Sequence, residues 1–274
     1  MNFDVELVGK IGSMALVDSV HGELDYNKFV MISRFLKPGM IWVSSGATVI
    51  GRLDYIHRNG KELTGPADDV KADYAAQGQT VLMQTYRNFI DSRYSVRQVL
   101  LEHNHFNDET NREHIKNLLL RCAKQNAIPI INYNDCVSSE ENRKLEILKL
   151  QKAGKHVVEL VDNDETAAQV ACLVKARLLV ILTNLDGIYS DLNNPDSLIR
   201  EISGKDAAEV IANIDDIKKK CSGASREGAN GAKAKLEYIK PCIEIGTKVI
   251  IASSRYDLKD IVENKVPCTV VAAR

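Results

Sequence analysis

The chain has 274 residues, 45% of them hydrophobic, and a formal net charge of -1 from 36 basic and 37 acidic side chains. Such a length and apolar content support a sizeable core and exclude a disordered chain, while the balanced charge offers no global field for nucleic acid or an anionic membrane. No basic-then-apolar leader opens the sequence, and no apolar run approaches the roughly 18 residues that span a bilayer, so a soluble protein is expected.

Val5 to Val8 reads as a short strand running into Gly9-Lys10-Ile11-Gly12-Ser13, where two glycines and a serine permit a tight turn against a ligand. A lysine there can hold a phosphate or can be an ordinary surface lysine, and Ile11 stands where a Walker loop carries Ser or Thr. Lys28 to Leu36 is amphipathic and is stopped by Pro38-Gly39. Met40 to Val43 is a second strand, delivering Ser44-Ser45-Gly46-Ala47 into another turn and helix. From Pro66 to about Asp91 apolar residues recur at helical intervals, interrupted at Gly78-Gln79, which predicts two helical pieces or one kinked helix. Ser95 to Leu101 is strand-like, Asp108 to Lys124 is helical, and Pro129-Ile130-Ile131 is a strand ending in Asn132-Tyr133-Asn134-Asp135. Ser138 to about Ala153 opens on a Ser138/Glu141 capping box and carries few apolar residues among many charges, which predicts a surface helix.

The stretch Val161 to Tyr189 organises the rest. Ala167, Ala168, Ala171, Leu173, Val174 and Ala176 recur at helical spacing, and Leu178 to Leu182 is an unbroken apolar run of the kind a strand shows when both faces are buried. Polar turns lie at either end, Asp162-Asn163-Asp164 before the helix and Thr183-Asn184 after the strand, where ligands collect in open α/β sheets; a plain helix cap and a plain turn account for them equally. Gly204 to Lys220 is a further helix. Cys221 to Gly231 is a glycine-rich loop with Gly223, Gly228 and Gly231, leading into a helix from Ala232 that carries Lys233 and Lys235. Its free N–H groups and a lysine could face an anion together, or the lysines could be solvated.

Lys248 to Ala252 and Thr269 to Ala272 add two strands around an Asp257 to Glu263 helix. About eight strands alternating mostly with helices predict an α/β fold, a three-layer αβα sandwich with a largely parallel central sheet. Without a Pro, Gly or Ser linker or an internal repeat, residues 1–274 are expected to form a single domain of two lobes meeting near residue 165. The cysteines lie far apart, with no CxxC pair and no Cys-His cluster at zinc spacing, which fits a reducing, cytoplasmic compartment.

Lys10-Ile11-Gly12-Ser13, Val43-Ser44-Ser45-Gly46-Ala47, Gly78-Gln79, Gln98-Val99-Leu100-Leu101, Pro129-Ile130-Ile131-Asn132, Asn134-Asp135, Asp162-Asn163-Asp164 and Asp186-Gly187 stand in an order that resembles the glutamate 5-kinases of the amino acid kinase superfamily. The resemblance covers essentially the whole chain. It implies the amino acid kinase fold, with residues 1–165 as substrate lobe and 166–274 as nucleotide lobe, and no room for the RNA-binding-type C-terminal domain of some relatives. It implies ATP-dependent phosphorylation of the γ-carboxylate of glutamate, the first step of proline biosynthesis, with Mg²⁺ as cofactor, no metal site made by protein alone, and a homo-oligomer, dimer or tetramer. Lys10, Lys235 and Asp164 are similar to the catalytic residues, the two lysines neutralising the transferring phosphoryl group. Ser45, Gly46, Asn132, Asn134, Asp135, Asp162 and Asn163 correspond to the substrate site. Lys10, Gly12, Ser13, Thr183, Asn184, Asp186, Tyr189, Gly228, Gly231 and Lys235 correspond to the nucleotide site.

The chain departs from the pattern in three places. The family's Gly-Gly-Met-x-Thr-Lys loop stands here as Asn230-Gly231-Ala232-Lys233-Ala234-Lys235, its Phe-Gly before the acidic turn is Leu160-Val161 with an added helix upstream, and Asn184 replaces a common Asp. A kinase of the same fold acting on another small acid, or a catalytically silent binding homologue, therefore stays open.

Overall fold

In the computed structural model, which describes all residues except 1, 19, 139, 153–156 and 221–230 and the side chains of 140–142, the chain opens on β1 (Val5–Ile11). This strand runs three residues past Val8, so Gly9, Lys10 and Ile11 belong to the strand and not to the turn that follows. A short 3-10 turn, the hairpin β2 (Val17–Asp18) and β3 (Glu23–Leu24), and α1 (Tyr26–Phe35) come next. The Asp25 carboxylate caps α1 by accepting from the Lys28 amide at 3.3 Å. Then follow β4 (Met40–Ser44), α2 (Ala47–Asn59), α3 (Ala67–Phe89), β5 (Ser95–Leu101), the single turn α4 (Asn104–Asn107), α5 (Glu109–Lys124), β6 (Ala127–Tyr133) and α6 (Glu140–Lys152). The later part comprises α7 (Asn163–Leu173), β7 (Ala176–Thr183), the ribbon β8 (Ile188–Tyr189) and β9 (Leu198–Ile199), β10 (Glu201–Gly204), α8 (Ala207–Lys220), α9 (Ala232–Tyr238), α10 (Lys240–Glu244), β11 (Lys248–Ser253), α11 (Leu258–Val262) and β12 (Cys268–Ala273). Glu141, half of the expected capping box of α6, has its side chain outside the described residues, and Cys221, Gly223 and Gly228 of the glycine-rich loop lie outside them altogether.

The fold is α/β, with an eight-stranded sheet in the order β10-β12-β11-β7-β1-β4-β6-β5, flanked by helices. It is mostly parallel: β1 pairs with β7 from Val5↔Ala176 to Ile11↔Leu182, β7 with β11, β4 and β5 with β6, and β10 with β12 are parallel too, while β12 runs antiparallel to β11. Strands buried on both faces must be apolar throughout, which is why Leu178–Leu182 and Val249–Ala252 are all within 2% of full burial. The short strands β8, β9 and β10 lay unseen in the sequence because two to four residues carry no legible alternation.

The chain clusters into two compact units, Met1–Ile11, Gly39–Ile41 and Asp164–Arg274 in the first, Gly12–Pro38 and Trp42–Asn163 in the second. In the first, the alanines of α7 (Ala167, Ala168, Ala171) are fully buried, and Cys172 and Cys242 bring α7 and α10 together with their sulfurs 3.4 Å apart as free thiols. In the second, Trp42 Nε1 donates to Tyr86 Oη at 3.0 Å, and Tyr86 in turn donates to Ser44 Oγ at 2.9 Å, so these three buried side chains satisfy one another.

Helix α3 is one continuous helix, not two pieces, and Gly78 has a different purpose from a break. A Cβ on Gly78 would lie 1.8 Å from the Ala47 carbonyl oxygen, and one on Gly51 would lie 1.8 Å from that of Tyr74. The two glycines let the backbones of α2 and α3 touch, which no larger residue permits. Among the described residues, no helix is long and apolar enough to cross a membrane.

Candidate active site

The first unit gathers three charges from distant parts of the chain. Lys10 comes from β1, Asp164 from the first turn of α7 and Lys235 from α9. The two ammonium groups lie 2.6 and 2.8 Å from the two carboxylate oxygens of Asp164. Asp164 is only 4% exposed and Lys10 8%. Burial pushes the Asp164 carboxyl up, but Lys10 and then Lys235 outweigh it and hold it below the usual carboxylate range. The carboxylate thus keeps two like charges side by side, and the cluster retains one net positive charge. A further anion is what that surplus can accept.

Lys10 is fixed because its backbone is in the sheet, between residues whose partners on β7 are Val180 and Leu182. Asp164 is fixed by the start of a helix, where a carboxylate also meets the positive end of the helix dipole.

The second unit holds a chain of amides. Asn163, the residue before Asp164, donates from Nδ2 to Ser45 Oγ at 2.9 Å and to Asn132 Oδ1 at 3.1 Å. Asn132, at the end of β6, donates onward to Gln79 Oε1 at 2.9 Å. Among the described residues, Asn163 Oδ1 and Gln79 Nε2 are buried and lack a hydrogen-bond partner, an acceptor and a donor left open beside the same network. Gly46 makes the tight turn between β4 and α2 with φ of 117°, and a Cβ there would come within 3.3 Å of Leu16 Cδ1.

Ser45 and Asn163 open onto a pocket of about 360 Å³, whose wall also includes Asp135, Asp162 and Val161. Four further lining residues, Lys71, Tyr133, Ser138 and Arg143, were not legible as site residues in the sequence. Lys71 reaches Asp135 at 3.4 Å, and Tyr133 Oη pairs with Ser138 Oγ at 2.7 Å. The signal for Arg143 was faint, because the apolar residues of α6 mark no single face; Ile147 is its buried one, four residues on. Asn134 has its amide engaged elsewhere, donating to Glu102 Oε1 at 2.7 Å and accepting from Cys136 Sγ.

The residues matched to a nucleotide site are spread over both units. Gly12 caps the 3-10 turn that Ser13 begins. In the first unit, Thr183 closes a turn on itself at the end of β7, accepting from the Leu185 amide and donating to the Leu185 carbonyl. Asn184 is exposed, and Asp186 is held by Arg255 at 2.6 Å, whose guanidinium lies over the Tyr256 ring. Burial, then Asp186, pushes the nearby Tyr189 hydroxyl up. Gly231 precedes α9, and Gly228 lies outside the described residues.

A model of the amino acid kinase family matches residues 6–253. The chain belongs to the amino acid kinase family. Glutamate 5-kinase of Streptococcus suis is 30% identical over 261 residues, covering 92% of this chain and 65% of that protein, so the chain spans under two thirds of that relative's length. Glutamate 5-kinase of Alkaliphilus metalliredigens is 28% identical over 284 residues, covering 100% of this chain and 97% of its own length. Among solved structures, Giardia carbamate kinase superposes with a TM-score of 0.59 at 14% identity, covering 98% of this chain and 99% of that one. This likeness bears on fold, and the family's α/β architecture is the one described above.

Proposed function

We propose that the chain transfers the γ-phosphoryl group of ATP to the γ-carboxylate of free L-glutamate, forming γ-glutamyl phosphate, the first step of proline biosynthesis. The observation that carries this reading is the cluster of buried Lys10 and Asp164 with half-buried Lys235 and its one net positive charge, next in sequence to the amide of Asn163. The name shared by relatives at about 30% identity supports the choice of glutamate.

A glutamate carboxylate, with a pKa of roughly 4.3, is ionised at neutral pH and needs no general base before it attacks phosphorus. As the new O–P bond forms, the bond to the departing ADP breaks and charge spreads over the phosphoryl oxygens. Lys10 and Lys235 are assigned to neutralise that charge, and Asp164 to hold them in place, so that little reorganisation accompanies the reaction. Ser45, Asn132, Asn163, Asp135 and Asp162 are assigned to the acid. Gly12, Ser13, Thr183, Asn184, Asp186, Tyr189 and Gly231 are assigned to the nucleotide.

Mg²⁺ would add further neutralisation of the phosphate oxygens. Asp164 already holds two ammonium groups, so its two oxygens are taken and the ion would ride on the phosphates of the nucleotide.

Trapping the acyl phosphate with hydroxylamine tests the assignment. Purified protein with Mg-ATP is expected to give hydroxamate from glutamate. Hydroxamate from aspartate or N-acetylglutamate, and none from glutamate, would show a different acid acceptor.

A further inference from the structure

We infer that Arg143, on the helix added between the two acidic turns, is a specificity residue that grips the α-carboxylate of the amino acid. The inference rests on the kinase reading above and deepens it.

The pocket wall carries two cations, Lys71 and Arg143, and two carboxylates, Asp135 and Asp162. This balance suits a zwitterionic head, an ammonium and a carboxylate on one carbon. Lys71 is already paired with Asp135 and its side chain is 61% exposed. Arg143 is placed differently. Its Nη1 donates to the Leu160 carbonyl at 3.2 Å, while its Nε is buried with no hydrogen-bond partner among the described residues. A guanidinium has five donors in a rigid fork, and a buried N–H of such a group left without an acceptor is uncommon in a folded protein. An incoming carboxylate would satisfy it, and the planar fork matches two carboxylate oxygens as a lysine ammonium does not.

The backbone behind Arg143 is held as a receptor requires. Glu146 and Ile147, three and four residues on, share its face of α6. Glu146 pairs with the buried His103 at 2.6 Å, and Ile147 is 7% exposed. The Leu160 carbonyl belongs to a segment pinned at Val158, which exchanges two hydrogen bonds of 2.8 Å with the Asn107 side chain. The guanidinium is therefore tied at both its helix and its anchor before any substrate arrives.

The test compares wild type with Arg143→Gln and Arg143→Lys on two acceptors, glutamate and its α-amide, which keeps the γ-carboxylate and the ammonium but lacks the α-carboxylate. Wild type should prefer glutamate. Arg143→Gln should raise KM for glutamate roughly tenfold to a hundredfold, the scale of one charge-assisted hydrogen bond, with kcat little changed. It should leave kcat/KM for the α-amide unaltered, so the preference collapses. Arg143→Lys should recover only part of it, because the charge returns without the fork. Calorimetric titration of glutamate should show the same loss of affinity without turnover, and unaltered melting would establish that the variants are folded. If wild type uses glutamate but Arg143→Gln keeps both its KM and its discrimination against the α-amide, the inference is wrong and the kinase reading stands. If wild type neither binds nor phosphorylates glutamate, both are overturned.

Discussion

Replacing Asp164 by asparagine keeps the shape of the side chain and removes its charge, leaving two ammonium groups beside a neutral amide. At separations of 2.6 and 2.8 Å, each ion pair has a gross Coulomb energy of about 6 kcal/mol at an effective dielectric of about 20. Most of that offsets the cost of burying the carboxylate, and removing one partner from a buried pair has a net cost of about 3 to 5 kcal/mol. For a chain of this size, that corresponds to a fall in Tm on the order of 10 °C. The pH dependence has a definite sign. A carboxyl held below its ordinary value of 3.8 contributes stability that is fully present above that value and is lost as pH falls through the lower, folded one. Calorimetric melts of Asp164→Asn should therefore run parallel to wild type from neutral pH to about 5, and the gap should close in stronger acid. A Tm within about 2 °C of wild type at neutral pH would mean that the lysines do not depend on Asp164, and the electrostatic account of the cluster would fail.

Lys10→Ala and Lys235→Ala should each lower kcat by about 10²-fold or more in the hydroxamate assay with the fold intact by circular dichroism, and near-normal turnover in either would remove that lysine from its role. Gly78→Ala should destabilise the protein by at least about 1 to 3 kcal/mol in urea melts, because the clash with α2 outweighs the better helix propensity of alanine; a neutral or stabilising outcome would mean that the helices part freely. Hydrogen exchange should show the amides of α6, where Leu145 and Leu148 are each 50% exposed, opening before those of β7; equal protection would make α6 part of the core.

What the sequence disclosed depended on how local the deciding interaction was. The apolar run within β7 was readable nearly to the residue because burial on both faces leaves its mark on every side chain, and Ser95–Leu101 was readable to the residue although β5 is an edge strand with only Val99 and Leu101 buried. Gly9-Lys10-Ile11 looked like a turn because glycines suggest one locally; the parallel ladder to β7 overrides this and turns Lys10 into a strand residue. Gly78 looked like a helix break for the same reason, while its cause is the backbone of another helix. In the site, the turns at the ends of β4, β6 and the start of α7 were legible as polar punctuation. The resemblance, and not periodicity, joined Lys10 to Asp164 and Lys235. Arg143 escaped both, since it lies on a helix outside the family pattern and its burial is set by tertiary contacts with Leu160.

The first unit is assembled from the beginning and the end of the chain, and this bears on its biosynthesis. β1 leaves the ribosome early, yet its partner β7 starts at Ala176, paired with Val5, so the β7 side of a strand that is apolar apart from Glu6 and Lys10 stays open while some 170 residues are added. At about 5 to 20 residues per second, that wait is about 10 to 30 s. The strands β4, β5 and β6 are complete well before then, whereas β10 at the sheet edge lacks its neighbour β12 until residue 273 has been made. The lysine cluster is thus among the last things the nascent chain can build, and a translational pause after residue 163 would prolong the exposure of the very strand that carries Lys10.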